Sequence, residues 1–158
     1  MLKKLKPYIV SVVIALAVGG LSALVTSGSM DVYSKINRPA LSPPAILFPI
    51  VWTILFTLMG ISAAIIWQFR EKKPDDVRNS LVVYAVNLVV NFIWSLIFFN
   101  MQAYLFAFIW ILLLIAVIVA MIVLFRRVSP LAAYLQIPYL LWVCFAAYLN
   151  LAIYLLNR

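Results

Sequence analysis

The sequence predicts an all-α integral membrane protein, a five-transmembrane-helix bundle, with one domain over residues 1–158. Three observations predict it. Of the 158 residues, 68% are apolar and 10% charged, with a mean hydropathy of +1.16, whereas a soluble domain has roughly 45–50% apolar and about 25% charged residues. Such a surplus excludes a soluble single domain and also disorder, which needs low hydrophobicity and high charge. Five stretches contain no Asp, Glu, Lys or Arg: 8–26, 45–68, 81–99, 103–125 and 131–156. They are 19 to 26 residues long, and a helix rising ~1.5 Å per residue needs roughly 20 residues to cross ~30 Å of hydrocarbon. The apolar runs are continuous rather than alternating, which argues against a β-barrel.

The first span follows Lys3, Lys4 and Lys6, a pattern shared with signal peptides. Its 19 residues exceed an ordinary signal core and no A-x-A site follows, so a retained helix is expected. Ala15, Gly19 and Ala23 give it a small-xxx-small face. The first loop, 27–44, is long for a compact bundle, and loops of that length are often lids or binding loops. The second span is expected to begin with Ser42 as cap and Pro43 at the first helical position. Pro49 within it, and Pro138 within the fifth span, each remove a backbone donor and predict kinks beside Trp52 and Trp142. The charged connection 70–80 reads as a solvated linker. Spans three and four are joined by only about three residues, 100–102, and must be antiparallel neighbours. Cys144 is the single cysteine, so no disulfide framework exists.

Lys and Arg counts orient the bundle. The N-terminus and the second and fourth loops hold nine of the twelve, and the opposite side holds Lys35, Arg38 and Arg158. Nine against three predicts a multi-pass protein of a bacterial plasma membrane with the N-terminus cytoplasmic and the C-terminus outside. The net charge of +8 is then mainly a topology signal, and no nucleic-acid partner is expected.

Within the spans there is no ionisable Asp, Glu, Lys, Arg or His. Proton-coupled pumps and cation exporters usually rely on such residues, so generic efflux has little support. No His or Cys cluster could hold a metal, and no nucleophile–base pair or phosphate-cradling loop is present. The polar content of the spans is aromatic and amide. Trp67 lies near a boundary, as an interfacial anchor would. Trp52, Trp94 and Trp142 lie deeper, where bundle packing and ligand contact are both open readings. Asn87, Asn91 and Ser95 form an i, i+4, i+8 stripe, and Asn150 stands on the fifth span. These amides can bond helix to helix or bond a ligand. Together the pattern predicts an aromatic-lined cavity with a few amide donors under the first loop, suited to a flat, hydrophobic, partly polar ligand.

The motifs Asn37-Arg38-Pro39-Ala40-Leu41-Ser42-Pro43-Pro44, Phe48-Pro49-Ile50-Val51-Trp52-Thr53, Asn91-Phe92-Ile93-Trp94-Ser95 and Pro138-Tyr139-Leu140-Leu141-Trp142, in this order and spacing, resemble those of the tryptophan-rich sensory protein family. Its animal members are the mitochondrial translocator proteins, or peripheral benzodiazepine receptors. The resemblance covers essentially the whole chain. It implies a homodimeric five-helix bundle that binds porphyrins, including protoporphyrin IX and haem, under the first loop, with no cofactor required. By resemblance the ligand-binding residues are Tyr33, Pro43, Pro44, Phe48, Trp52, Phe56, Asn87, Asn91, Trp94, Trp142, Ala146 and Asn150. Trp52 and Trp142 match tryptophans implicated in light-dependent porphyrin breakdown in bacterial members. An indole can give an electron to a photoexcited ring without a metal. Animal members bind cholesterol, and Leu149, Tyr154 and Arg158 match that motif formally. Val32, Ala40 and Leu41 stand where the family often has tryptophan, so this lid is less aromatic. The alternative function is small-molecule efflux or transport of a lipid or sterol-like molecule without catalysis.

Overall fold

In hydrocarbon no water satisfies a free backbone amide, so the charge-free stretches fold as helices. The computed structural model describes the backbone of residues 2–158 and the side chains of residues 5–29 and 31–158. Lys3 and Lys4, counted above for orientation, lie outside the described side chains. The helices are α1 (Leu2–Thr26), α2 (Met30–Lys35), α3 (Leu47–Trp67), α4 (Pro74–Ser95), α5 (Tyr104–Val128), α6 (Pro130–Tyr134) and α7 (Ile137–Leu156). A 3-10 turn at Ser27–Ser29 joins α1 to α2, and α4 runs on as a π-helix over Leu96–Asn100. No strand occurs among the described residues, and five helical segments are long and apolar enough to cross a membrane.

Several helix ends differ from those expected. Ser42 does not cap α3, which starts at Leu47 with no side-chain cap. Pro49 and Pro138 therefore fall in the first turns of α3 and α7, where the missing donor is an orphan in any helix. Neither proline kinks its helix from within. The charged connection is shorter than expected, because Pro74 opens α4 and Asp75 and Asp76 occupy its first turn. Carboxylates there suit the positive end of the helix dipole. Lys73 donates from Nζ to the Arg127 carbonyl at 2.6 Å and ties this connection to the end of α5. The fifth span is broken into α6 and α7 by a turn at Leu135–Gln136, and Gln136 is fully buried there.

α5 is the central strut and packs against α4, α6 and α7. Its buried residues Ala107, Ile111, Leu114, Ile118, Met121 and Phe125 recur every three or four positions, one face of a helix. The connection to α4 is so tight that Gln102 takes a φ of 52°, a left-handed conformation that costs an ordinary residue ~1–2 kcal/mol.

α1 is held to the bundle mainly through α3. A Cβ at Gly60 would lie 2.5 Å from the Val12 Cα, so the two backbones touch because this residue has no side chain. A Cβ at Gly19 would lie 2.6 Å from the Phe56 ring. Small residues that allow close approach are a main source of helix association in lipid. Ser22 and Ser95 add a hydroxyl pair at 2.6 Å between α1 and α4.

α4 and α7 are joined by polar groups. The Tyr139 hydroxyl donates to Asn87 Oδ1 at 2.8 Å and accepts from Asn91 Nδ2 at 2.8 Å. All three residues are buried. On the same two helices, the Trp94 indole donates to Asn150 Oδ1 at 3.2 Å.

Two outcomes follow for thermal unfolding in detergent. Gly60→Ala pushes α1 off α3 and lowers stability by about 1–3 kcal/mol, while Gly20→Ala, whose Cβ meets nothing within 4 Å, leaves it unchanged or higher. Tyr139→Phe keeps the ring but strands two buried amide groups, a loss of about 1–2 kcal/mol.

Candidate ligand-binding site

α3 and α7 run antiparallel and interlock through four aromatic rings. Phe48 and Trp52 lie one turn apart on α3, and Tyr139 and Trp142 lie one turn apart on α7. Phe48 meets Trp142 at 5.9 Å and Trp52 meets Tyr139 at 6.2 Å, centroid to centroid. Trp52 also reaches Trp94 at 6.2 Å, and Trp94 stacks on Phe98 at 5.6 Å. Trp52 and Trp142 are thus on one side of the bundle, both half-buried, each paired with a ring of the opposite helix.

The register of this quartet leaves a gap. Trp142 stands 14 residues before the end of α7, about 21 Å of helix, yet it meets Phe48, the second residue of α3. The outer half of α7 therefore rises beyond the start of α3, and the first loop takes the place of the missing helix. Between them lies a narrow cavity of about 20 Å³, room for one water. Tyr33, Phe48, Trp94, Phe98, Ala146 and Asn150 are among its walls. The wall is nearly all apolar, which fits the high aromatic content of the α3, α4 and α7 faces.

The Tyr33 hydroxyl in the cavity wall and the Trp142 indole N–H, one ring further on beyond Phe48, are buried and have no hydrogen-bond partner in the chain. Buried polar groups are rarely left so. The loop is held to the bundle at two points and braced from within at a third. Asn157, just past α7, donates from Nδ2 to the Asn37 carbonyl at 2.8 Å, and the Asn37 amide donates to Asn157 Oδ1 at 3.0 Å. The Arg38 guanidinium lies 5.0 Å above the Tyr33 ring, a cation–π contact. Tyr33 in turn packs edge-on against Phe48 at 5.3 Å.

Of the residues singled out from the sequence, Trp142 lies outside the cavity wall, against Phe48, and the other ligand-site residues divide into four groups. Tyr33, Phe48, Trp94, Ala146 and Asn150 surround the cavity. Asn87 and Asn91 lie in the hydrogen-bonded network with Tyr139, and the Asn150 amide is bonded to Trp94 and the Ala146 carbonyl. Trp52 and Phe56 also face a groove of about 180 Å³ against Gly19, Gly20 and Ala23 of α1. Pro43 and Pro44 line a separate, open crevice of about 450 Å³ within the loop itself. The sterol-type motif does not share one surface: Leu149 is buried in the cavity wall, Tyr154 is half-buried and Arg158 is exposed beyond the helix. Sequence reasoning missed Tyr139, Phe98, Ile153 and Asn157. Helical spacing from Ala146 and Asn150 points to Ile153, but nothing local marks Asn157.

Comparison with known proteins places the chain in a family. Residues 11–156 match the model of the TspO/MBR family. The tryptophan-rich protein TspO of Chlorobaculum tepidum is 43% identical over 79% of this chain and 78% of its own length. The protein of the same name from Archaeoglobus fulgidus is 34% identical over 94% and 95%. The human translocator protein is 30% identical over 77% and 72%. With nearly the full length matched and the five spans in place, this chain belongs to the TspO/MBR family.

Proposed function

We propose that this protein binds porphyrins, protoporphyrin IX or haem, in the cavity between α7 and the first loop. The observation that carries the reading is the unpartnered Tyr33 hydroxyl in the wall of an aromatic-lined cavity beside a tethered loop, with a second unpartnered donor, the Trp142 N–H, one ring away across Phe48. Flat aromatic ligands stack on indole and phenyl faces, and a few donors orient their polar edge. Sites for ligands of that size occupy roughly 300–1,000 Å³, whereas this cavity is about 20 Å³. Binding therefore requires the loop to lift, which breaks the Asn37–Asn157 pair while the helices stay packed.

The protein needs no cofactor in this reading, and a haem would lack an axial His because the chain has none. The lid faces the outside of a bacterial plasma membrane and the N-terminus the cytoplasm, as the basic residues order them. A homodimer is the expected assembly, from the family resemblance.

The aromatic quartet supports a second activity, photo-oxidative porphyrin degradation. Trp142 is in ring contact with the cavity wall through Phe48, and Trp52 through Trp94. A photoexcited porphyrin can take one electron from an indole there. Dioxygen then adds to the porphyrin radical anion, and return of the electron to the indole radical cation restores the tryptophan. The net change is addition of dioxygen to the porphyrin. Transport of a lipid or sterol-like molecule without catalysis is the alternative, and it requires ligand passage with no change in the ligand's spectrum.

Titration of protoporphyrin IX with the purified protein is expected to give saturable quenching. Tyr33→Phe and Trp142→Phe each remove one donor, worth about 0.5–1.5 kcal/mol, and weaken binding about 2- to 10-fold. Unchanged porphyrin spectra at saturating protein would refute binding. Under illumination, protein-dependent loss of the Soret band with a new product band is expected, abolished in Trp52→Phe or Trp142→Phe. Bleaching equal to that of free porphyrin would leave binding alone. Asn157→Leu frees the loop: amide exchange of residues 36–46 rises at least tenfold, and porphyrin associates faster, with α5 exchange unaltered.

A further inference from the structure

The end of the bundle away from the lid carries a second concavity. α1, α3 and α4 enclose a groove of about 510 Å³, far larger than the cavity under the lid. Lys6, Val10 and Ile14 of α1, Ala64 and Trp67 of α3, and Tyr84 of α4 are among its lining residues. The volume comes from small side chains on α3, where Ala63 and Ala64 follow Gly60. Val10 and Ile14 are about half exposed, so the groove is open on the side that faces hydrocarbon.

Its chemistry is unequal along its length. From Lys6 to Ile14 it follows eight residues of α1, about 12 Å, and this wall is apolar beyond the first residue apart from Ser11. At the Lys6 end it meets cations. Lys6 is exposed, and the Arg70 guanidinium lies 5.0 Å over the Trp67 ring. Arg70 is only loosely paired, 3.6 Å from the exposed Glu71. The other acidic groups on this end are Asp75 and Asp76 at the start of α4. Asp75 is paired with Arg78 at 3.3 Å.

We propose that this groove holds one acyl chain of an anionic phospholipid, with the phosphate at Lys6. An apolar channel with a cation at the membrane boundary matches a single amphiphile that has one charged end. A second copy of the chain fits less well. In a two-fold dimer within one membrane, equivalent ends meet, so Lys6 and Arg70 of both copies would approach one another. The Tyr84 hydroxyl, buried in the groove's α4 wall, has no partner in the chain, and a lipid ester oxygen is an acceptor it lacks. This site is separate from the lid cavity, and its test involves no porphyrin.

The test uses the full chain reconstituted in phosphatidylcholine vesicles, with increasing fractions of bromine-labelled phosphatidylglycerol or bromine-labelled phosphatidylcholine. The Trp67 emission is obtained as the difference between the wild type and Trp67→Phe. One phosphate–lysine contact near a surface is expected to give about fivefold preference, so half-quenching occurs at about fivefold lower fraction of the anionic lipid. Lys6→Gln brings the two curves to within twofold. Val10→Phe, a change at an exposed position that lays a ring in the groove, removes the preference while thermal stability stays at the wild-type value. Identical curves for the two lipids in the wild type overturn the proposal, as does a preference that survives Lys6→Gln. Efficient disulfide cross-linking of two copies through Val10→Cys in a Cys144→Ser background, with Trp67 shielded from both lipids, overturns it in favour of a second copy.

Discussion

The Tyr139 hydroxyl fixes the geometry on which the rest depends. In lipid, apolar contact between helices competes with acyl chains that are equally apolar, so polar contacts and close backbone approach must set the register. One hydroxyl between Asn87 and Asn91 allows α7 a single position against α4. That position decides which rings of α7 oppose α3. Tyr139 meets Trp52 and Trp142 meets Phe48, and a shift of α7 by one turn would undo both pairs. The orphan Trp142 indole and the cavity above Phe48 are consequences of this one register.

Polar groups in the bundle then fall into two kinds. The amides of Asn87, Asn91 and Asn150 are bonded to other helices or to their own backbone. They keep the walls in place and offer little to a newcomer. Tyr33 and Trp142 are unbonded within the chain, and both are donors as they stand. A molecule that enters beneath the lid is thus met by flat apolar faces and by groups seeking acceptors. Charge has no part in its recognition inside the spans, where no ionisable acid, amine or guanidine occurs.

The spans were legible because charge exclusion is a property of composition and needs no knowledge of packing. Helix ends were less so. Ser42-Pro43 carries a capping pattern, but the chain continues for several more residues before α3 begins at Leu47. Pro74 with Asp75 and Asp76 is a clear start signal for α4, overridden in the sequence reading by the charge of the segment. Pro49 and Pro138 were read as interior because span limits taken from charge alone run past the helix starts. The candidate site was legible in its residue types and only partly in its membership. That Leu149 as well as Asn150 faces the cavity depends on the rotation of α7, which Tyr139 sets from across the bundle. Asn157 closes the lid by meeting a residue 120 positions away, a pairing that no local pattern encodes.

The lid is a wall as well as a door, and this has a thermodynamic consequence for any ligand larger than water. In the proposed reading the ligand-ready form is a minor member of the resting ensemble, because the two hydrogen bonds between Asn37 and Asn157 hold the loop shut. A measured dissociation constant is then the intrinsic one divided by the fraction of molecules open. Differences in affinity among relatives can arise at Asn37 and Asn157 with no change in a single residue that touches the ligand.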